Sequence, residues 1–124
     1  MLPDPDILAS AVEVLEIAEV RPLLDSGAAP FSEGERAYAA RCVDPERRLA
    51  ARLAAKRAAA RLLGGGVECS EVEVVRGRGG PPWLRLGERA AARLRELGAR
   101  RILISLTHGR DHAAAAVLLL RSPA

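Results

Sequence analysis

Aromatic side chains are nearly missing from this chain of 124 residues: Phe31, Tyr38 and Trp83 are the only three. A core cannot then rest on a few large rings. It must be assembled from Ala, Leu, Val and Ile, which bury little area each and have to pack closely. Lysine is scarcer still, with Lys56 standing alone among eighteen arginines. The formal net charge is only +3, which favours anionic partners without naming them. The basic excess is small and is not interleaved with aromatics, so a nucleic-acid binder is not expected. Arginine and alanine richness is also what a GC-rich coding bias produces, so the arginine count alone decides nothing.

Other absences narrow the class further. Cys42 and Cys69 lie far apart, with no CxxC and no metal-ligand spacing, and read as two free thiols. Met1 to Asp6 carries two acids and two prolines, unlike a secretory leader. The longest fully apolar run, Ala113 to Leu120, is too short to cross a bilayer. No membrane partner is expected, and a cytoplasmic location is. What is present is globular: 49% apolar and 28% charged residues, in a length that fits one domain over residues 1–124. A domain this small often gains stability by oligomerising.

Hydrophobic periodicity divides the chain. Leu2 to Ile7 reads as a lead-in, and Ala11 to Ile17 as a strand with Val12 and Val14 on one face and Glu13, Leu15 and Ile17 on the other. Glu13 thus shares a face with large apolar residues, either at an exposed sheet edge or as a carboxylate in a site wall. Pro22 to Pro30 reads as loop. Phe31-Ser32-Glu33-Gly34-Glu35 has the form of a hydrophobic staple and capping box, opening a helix that runs to about Cys42. Asp44-Pro45 opens a long helix that Gly64 to Gly66 end. Val67 to Val75 reads as a strand, Arg76 to Pro82 as a basic loop containing Arg78, and Trp83 to Leu86 as a short strand. Gly87 to Leu97 reads as a helix. Arg101 to Thr107 and Ala113 to Leu120 form a terminal hairpin, with a helix as the rival reading of the alanine run. The fold class is α+β, an antiparallel sheet packed against a long central helix.

That helix is the most informative stretch. After Glu46 it holds six cations and no acid up to Leu63. A wheel at 100° per residue puts Arg48, Arg52 and Lys56 on one stripe and Arg47, Arg57 and Arg61 on another. Leu49, Leu53 and Ala60 lie between the stripes, and Ala51, Ala55, Ala58 and Leu62 lie opposite. Two apolar strips imply a helix clamped between two packing partners. Like charges four apart repel, so either an anion relieves them or both stripes are solvated faces whose stems cover the core.

The ordered motifs resemble the holo-acyl-carrier-protein synthase family of 4'-phosphopantetheinyl transferases. Ala11 to Ile17, AVEVLEI, is similar to the family's GIDIVEI strand. Arg52 to Gly64, RLAAKRAAARLLG, resembles its RFAAKEAxxKALG helix. Gly79-Gly80-Pro81 resembles its GxP-type loop, and SLTH at Ser105 to His108 its SLSH. The resemblance implies transfer of phosphopantetheine from coenzyme A to a serine of apo acyl carrier protein, with Mg²⁺ on the pyrophosphate and a homotrimer with shared sites. It implies catalytic roles for Lys56, Arg57, Arg61 and His108. Coenzyme contacts fall on Arg52, Lys56, Arg61, Gly80, Pro81 and His108, and the metal carboxylate on Glu13. The family's second metal ligand falls on Arg57, which cannot ligate a metal. A catalytically degenerate homologue that binds coenzyme A or carrier protein is the alternative.

Overall fold

The computed structural model describes residues 5–25, 30–77 and 79–122. Residues 1–4, Gly27 and Arg78, on which parts of the lead-in and loop readings rest, lie outside them. Strands β1 (Ile7–Glu16), β4 (Arg101–His108) and β5 (His112–Leu120) form an antiparallel sheet in the order β1-β5-β4. Strands β2 (Val72–Arg76) and β3 (Pro82–Leu86) form a separate two-stranded ribbon.

Strand alternation sets the two faces of the larger sheet. Leu15 is buried while Val12 and Val14 are 62% and 59% exposed. On β5 the inward row is Ala113, Ala115, Val117 and Leu119, all buried, and Ala114, Ala116 and Leu118 are half-buried on the other face. The alanine run is therefore a strand. Alanine is a weak strand former, but β5 is the central strand, bonded on both edges, and its small side chains let a helix lie close above it.

That helix is α3 (Pro45–Leu63). Eleven of its 19 residues are buried, among them Ala50, Ala54, Ala55, Ala58 and Ala59 at 0% exposure. It lies between the sheet and a second layer made by the ribbon and α2 (Glu33–Ala40). Helix α2 starts with the expected capping box: Glu35 N donates to Ser32 Oγ at 3.1 Å, and Ser32 N donates to Glu35 Oε1 at 2.8 Å. It stops at Ala40, short of Cys42. At the far end of α3, Gly64 adopts φ 61°, a conformation that favours glycine. Helix α4 (Glu88–Glu96) covers this end, with Arg93 Nε donating to Leu63 O at 2.6 Å and Arg89 to Gly65 O at 2.9 Å.

Several expectations change. The first strand begins at Ile7, earlier than Ala11, and ends at Glu16, so Ile17 lies in the turn after it. The segment after β1 is not loop from Pro22: a 3-10 turn (Ile17–Glu19) leads into α1 (Val20–Asp25). Pro22 sits in the first turn of α1, where its missing N–H has no intrahelical partner to lose. The strand expected over Val67 to Val75 begins only at Val72, because Cys69–Glu71 form a 3-10 turn.

Candidate functional site

The first basic stripe of α3 turns inward. Lys56 is 1% exposed, and its Nζ lies 2.6 Å from Oε1 of Glu35, which is fully buried. Glu35 Oε1 also accepts from Ser32 N, and its Oε2 accepts from Val74 N at 2.8 Å. One carboxylate thus joins α2, α3 and β2. Ser32 Oγ passes the network outward, donating to Glu73 Oε2 at 2.6 Å. Arg52 is also buried, its guanidinium 3.9 Å above the Tyr38 ring. Its Nε has no hydrogen-bond partner among the described residues, and burial lowers its pKa from the ordinary guanidinium value. Arg48 pairs with Asp44 at 3.2 Å. That hydrogen bond holds the Asp44 carboxyl below its usual range and raises the guanidinium.

The second stripe lies at the rim. Arg61 donates through Nη1 to Glu13 Oε2 and through Nη2 to Val12 O at 2.9 Å, so it holds the edge of β1. Glu13 is on the inward face of β1, as its alternation with Val12 and Val14 requires. Arg57, one turn before Arg61, is half-buried. Burial pushes the Cys69 thiol pKa up, against the pull of the Lys56 and Arg57 charges.

This donor set does not fit Mg²⁺. The ion takes oxygen ligands in near-octahedral geometry. Glu13 is engaged by a guanidinium, Glu35 is committed to three internal donors, and the position after Lys56 is a cation. Among the described residues no group of three His, Cys, Asp or Glu is placed to hold a metal.

His108 ends β4 on the sheet's inward face, opposite Ala113, while Glu13 lies opposite Ala115 on the other side of β5. Two strand spacings, roughly 10 Å, separate the flanking strands. His108, with Gly109 and Arg110, lines a shallow surface cleft at the β4–β5 turn. At the start of α3 opens a cavity of about 900 Å³ lined by Glu16, Arg21, Asp44, Arg47, Arg110 and His112, among others. Gly80 and Pro81 lie in the β2–β3 turn. The expected site residues therefore form a Glu13–Arg61 pair with Arg57 nearby, a buried Lys56–Glu35 pair, and separate positions for His108 and the turn. Sequence reasoning missed Glu35 as the partner of Lys56. The capping box had already accounted for it, and no local spacing marks a contact 21 residues away.

No family model matches the chain. Curated relatives do. It is 38% identical over 123 residues to the holo-[acyl-carrier-protein] synthase of Anaeromyxobacter sp. (strain K), covering 91% of this chain and 95% of that protein. It is 49% identical over 75 residues to the synthase of Nitratidesulfovibrio vulgaris (strain Hildenborough), covering 57% of this chain and 60% of that one. Among solved structures, the coenzyme A complex of the synthase from Chronobacterium ammoniagenes matches with TM-score 0.69 and 28% identity, over 90% of this chain and 95% of that one. The Neisseria meningitidis synthase shares the fold at TM-score 0.77 and 20% identity, over 91% and 98%. With near-complete alignment to a curated relative and the same layering of helix and sheet, the chain belongs to the holo-[acyl-carrier-protein] synthase family of 4'-phosphopantetheinyl transferases.

Proposed function

We propose that residues 1–124 act as one domain that transfers 4'-phosphopantetheine from coenzyme A to a serine of apo acyl carrier protein. The serine oxygen forms a bond to the β-phosphorus of the pyrophosphate. The bridging P–O bond breaks, and 3',5'-adenosine bisphosphate leaves. The serine proton passes to a base, for which His108 is the candidate on the sheet's inward face. The observation that carries this reading is the rim of α3, where Arg61 is anchored by Glu13 and Val12 O while its side chain stays 56% exposed. A guanidinium held in that way, with Arg57 one turn earlier, presents pre-oriented donors to phosphate oxygens. Arg52 would add positive potential from within the fold. Lys56 would act through Glu35, fixing α3 against α2, and not by touching the ligand.

A homotrimer completes the proposal. The outer face of the sheet exposes Val12, Val14 and Leu103, the last at 42%, around Ala114 and Ala116. An apolar face of this kind is a natural interface. A site shared between neighbouring copies would bring together His108, Gly80, Pro81 and the α3 cations, which lie apart in one chain. Among the described residues no helix is long and apolar enough to cross a membrane, and the cytoplasm is the proposed location.

The pairing of Glu13 with Arg61 also favours a second reading, in which coenzyme A and carrier protein bind without turnover. Intact mass analysis separates the two. A panel of apo carrier proteins is incubated with this protein and coenzyme A, with Mg²⁺ or with chelator. A gain of the phosphopantetheine mass supports transfer. No gain in any carrier, with coenzyme A still bound, leaves the binding role.

A further inference from the structure

The charges around Glu13 carry one step more, which rests on the coenzyme A reading above. The second half of α3 carries three cations, Lys56, Arg57 and Arg61, and two carboxylates reach it: Glu35 on Lys56 and Glu13 on Arg61. Glu35 is spent: Lys56 Nζ, Ser32 N and Val74 N occupy both of its oxygens. Glu13 gives one oxygen to Arg61. A divalent cation placed there would meet one shared carboxylate and a local charge that is already positive.

We infer that this site takes a pyrophosphate-bearing ligand without a divalent cation, the guanidinium groups of Arg57 and Arg61 supplying the charge and Glu13 serving as the positioning residue for Arg61. Arg61 uses one N–H on Glu13 and one on Val12 O. A guanidinium has five N–H donors in a fixed fork, so three remain, on a side chain more than half exposed. Anchoring through two of them fixes the plane of the group, which is what bidentate recognition of a phosphate needs. Arg57 stands four residues before Arg61, on the same stripe, so a bridging anion would relieve their mutual repulsion.

The test is a titration of the full chain with coenzyme A, once in EDTA and once in millimolar Mg²⁺. The dissociation constants should agree within about twofold, because Arg57 and Arg61 replace the metal's charge. Arg61→Gln should weaken binding about tenfold or more in both buffers, and so should Arg57→Gln. Arg61 is exposed enough that its loss does not threaten the fold; the unfolding midpoint of Arg57→Gln checks that variant. Arg57→Glu should create a Mg²⁺ response of about fivefold or more, a readout that a structural role would not move. Binding that needs Mg²⁺ in the parent chain overturns this inference and leaves the coenzyme A reading standing. So does Mg²⁺-independent binding that neither glutamine variant weakens, or an Arg57→Glu variant with no response to Mg²⁺. Absence of coenzyme A binding in both buffers overturns the coenzyme reading itself, and this inference with it.

Discussion

The two cation rows of α3 share a helix and a chemistry, and the fold treats them in opposite ways. Arg48, Arg52 and Lys56 each meet a group of the chain's own: a carboxylate, a ring and a second carboxylate. Arg61 lies against the edge of β1, held by Glu13 and Val12 O, and Arg57 stands half-buried one turn before it. The difference comes from the opposing layer. Helix α2 and strand β2 close over Arg52 and Lys56, and α2 supplies Glu35. In the second row the Arg61 side chain stays 56% exposed, with guanidinium N–H groups beyond the two spent on Glu13 and Val12 O. An enclosed charge must be matched internally, since desolvation makes it costly otherwise. A rim charge can wait for a ligand.

Breaking the enclosed pair should have the largest effect. Glu35→Gln leaves the Lys56 ammonium buried without a counterion and should destabilise the chain by about 3–5 kcal/mol, read from urea unfolding. A loss under about 1 kcal/mol would place Lys56–Glu35 among surface-type pairs. Ser32→Ala removes both the cap of α2 and the bond to Glu73 and should cost about 1–2 kcal/mol, seen as a lower thermal midpoint. Arg61→Gln, at the rim, should change stability by no more than about 1 kcal/mol; a larger loss in the same unfolding assay would make Arg61 a structural residue.

The smallest effect concerns pH. Burial raises the Cys69 thiol pKa in the folded state. Below the ordinary thiol range, near 8.5, the thiol is protonated in both states and contributes no pH dependence. Above it the unfolded chain releases the proton first, so stability falls as pH rises toward the folded value. Urea midpoints measured on both sides of that range should fall more steeply for the parent chain than for Cys69→Ala. Equal slopes would mean that the thiol is not shielded.

Much of this was legible in the sequence because the signals were local. The capping box at Ser32 and Glu35, the Asp44-Pro45 start and the glycines after Leu63 fixed helix boundaries within a residue or two. Alternation placed Glu13 inward. Helix α1 was not legible, since Pro22 and Gly27 read as breakers and a six-residue helix gives almost no periodicity. The wheel found two basic rows on α3, but not which one was enclosed. That depends on Glu35 and Glu13, which reach α3 from 21 and 48 residues away. Sequence spacing within one helix carries no record of such partners. The site is harder still, because its expected members are spread over separate elements of one chain.

The enclosure of Lys56 also makes it a gauge. It is the only lysine in the sequence, and its amine is shut between α2 and α3. An acylating reagent reaches that nitrogen only in molecules where the two helices have parted, so the rate of its modification reports the opening of that one seam. The arginines stay silent to the reagent, and peptide mapping separates the Lys56 signal from that of the terminal amine and the thiols.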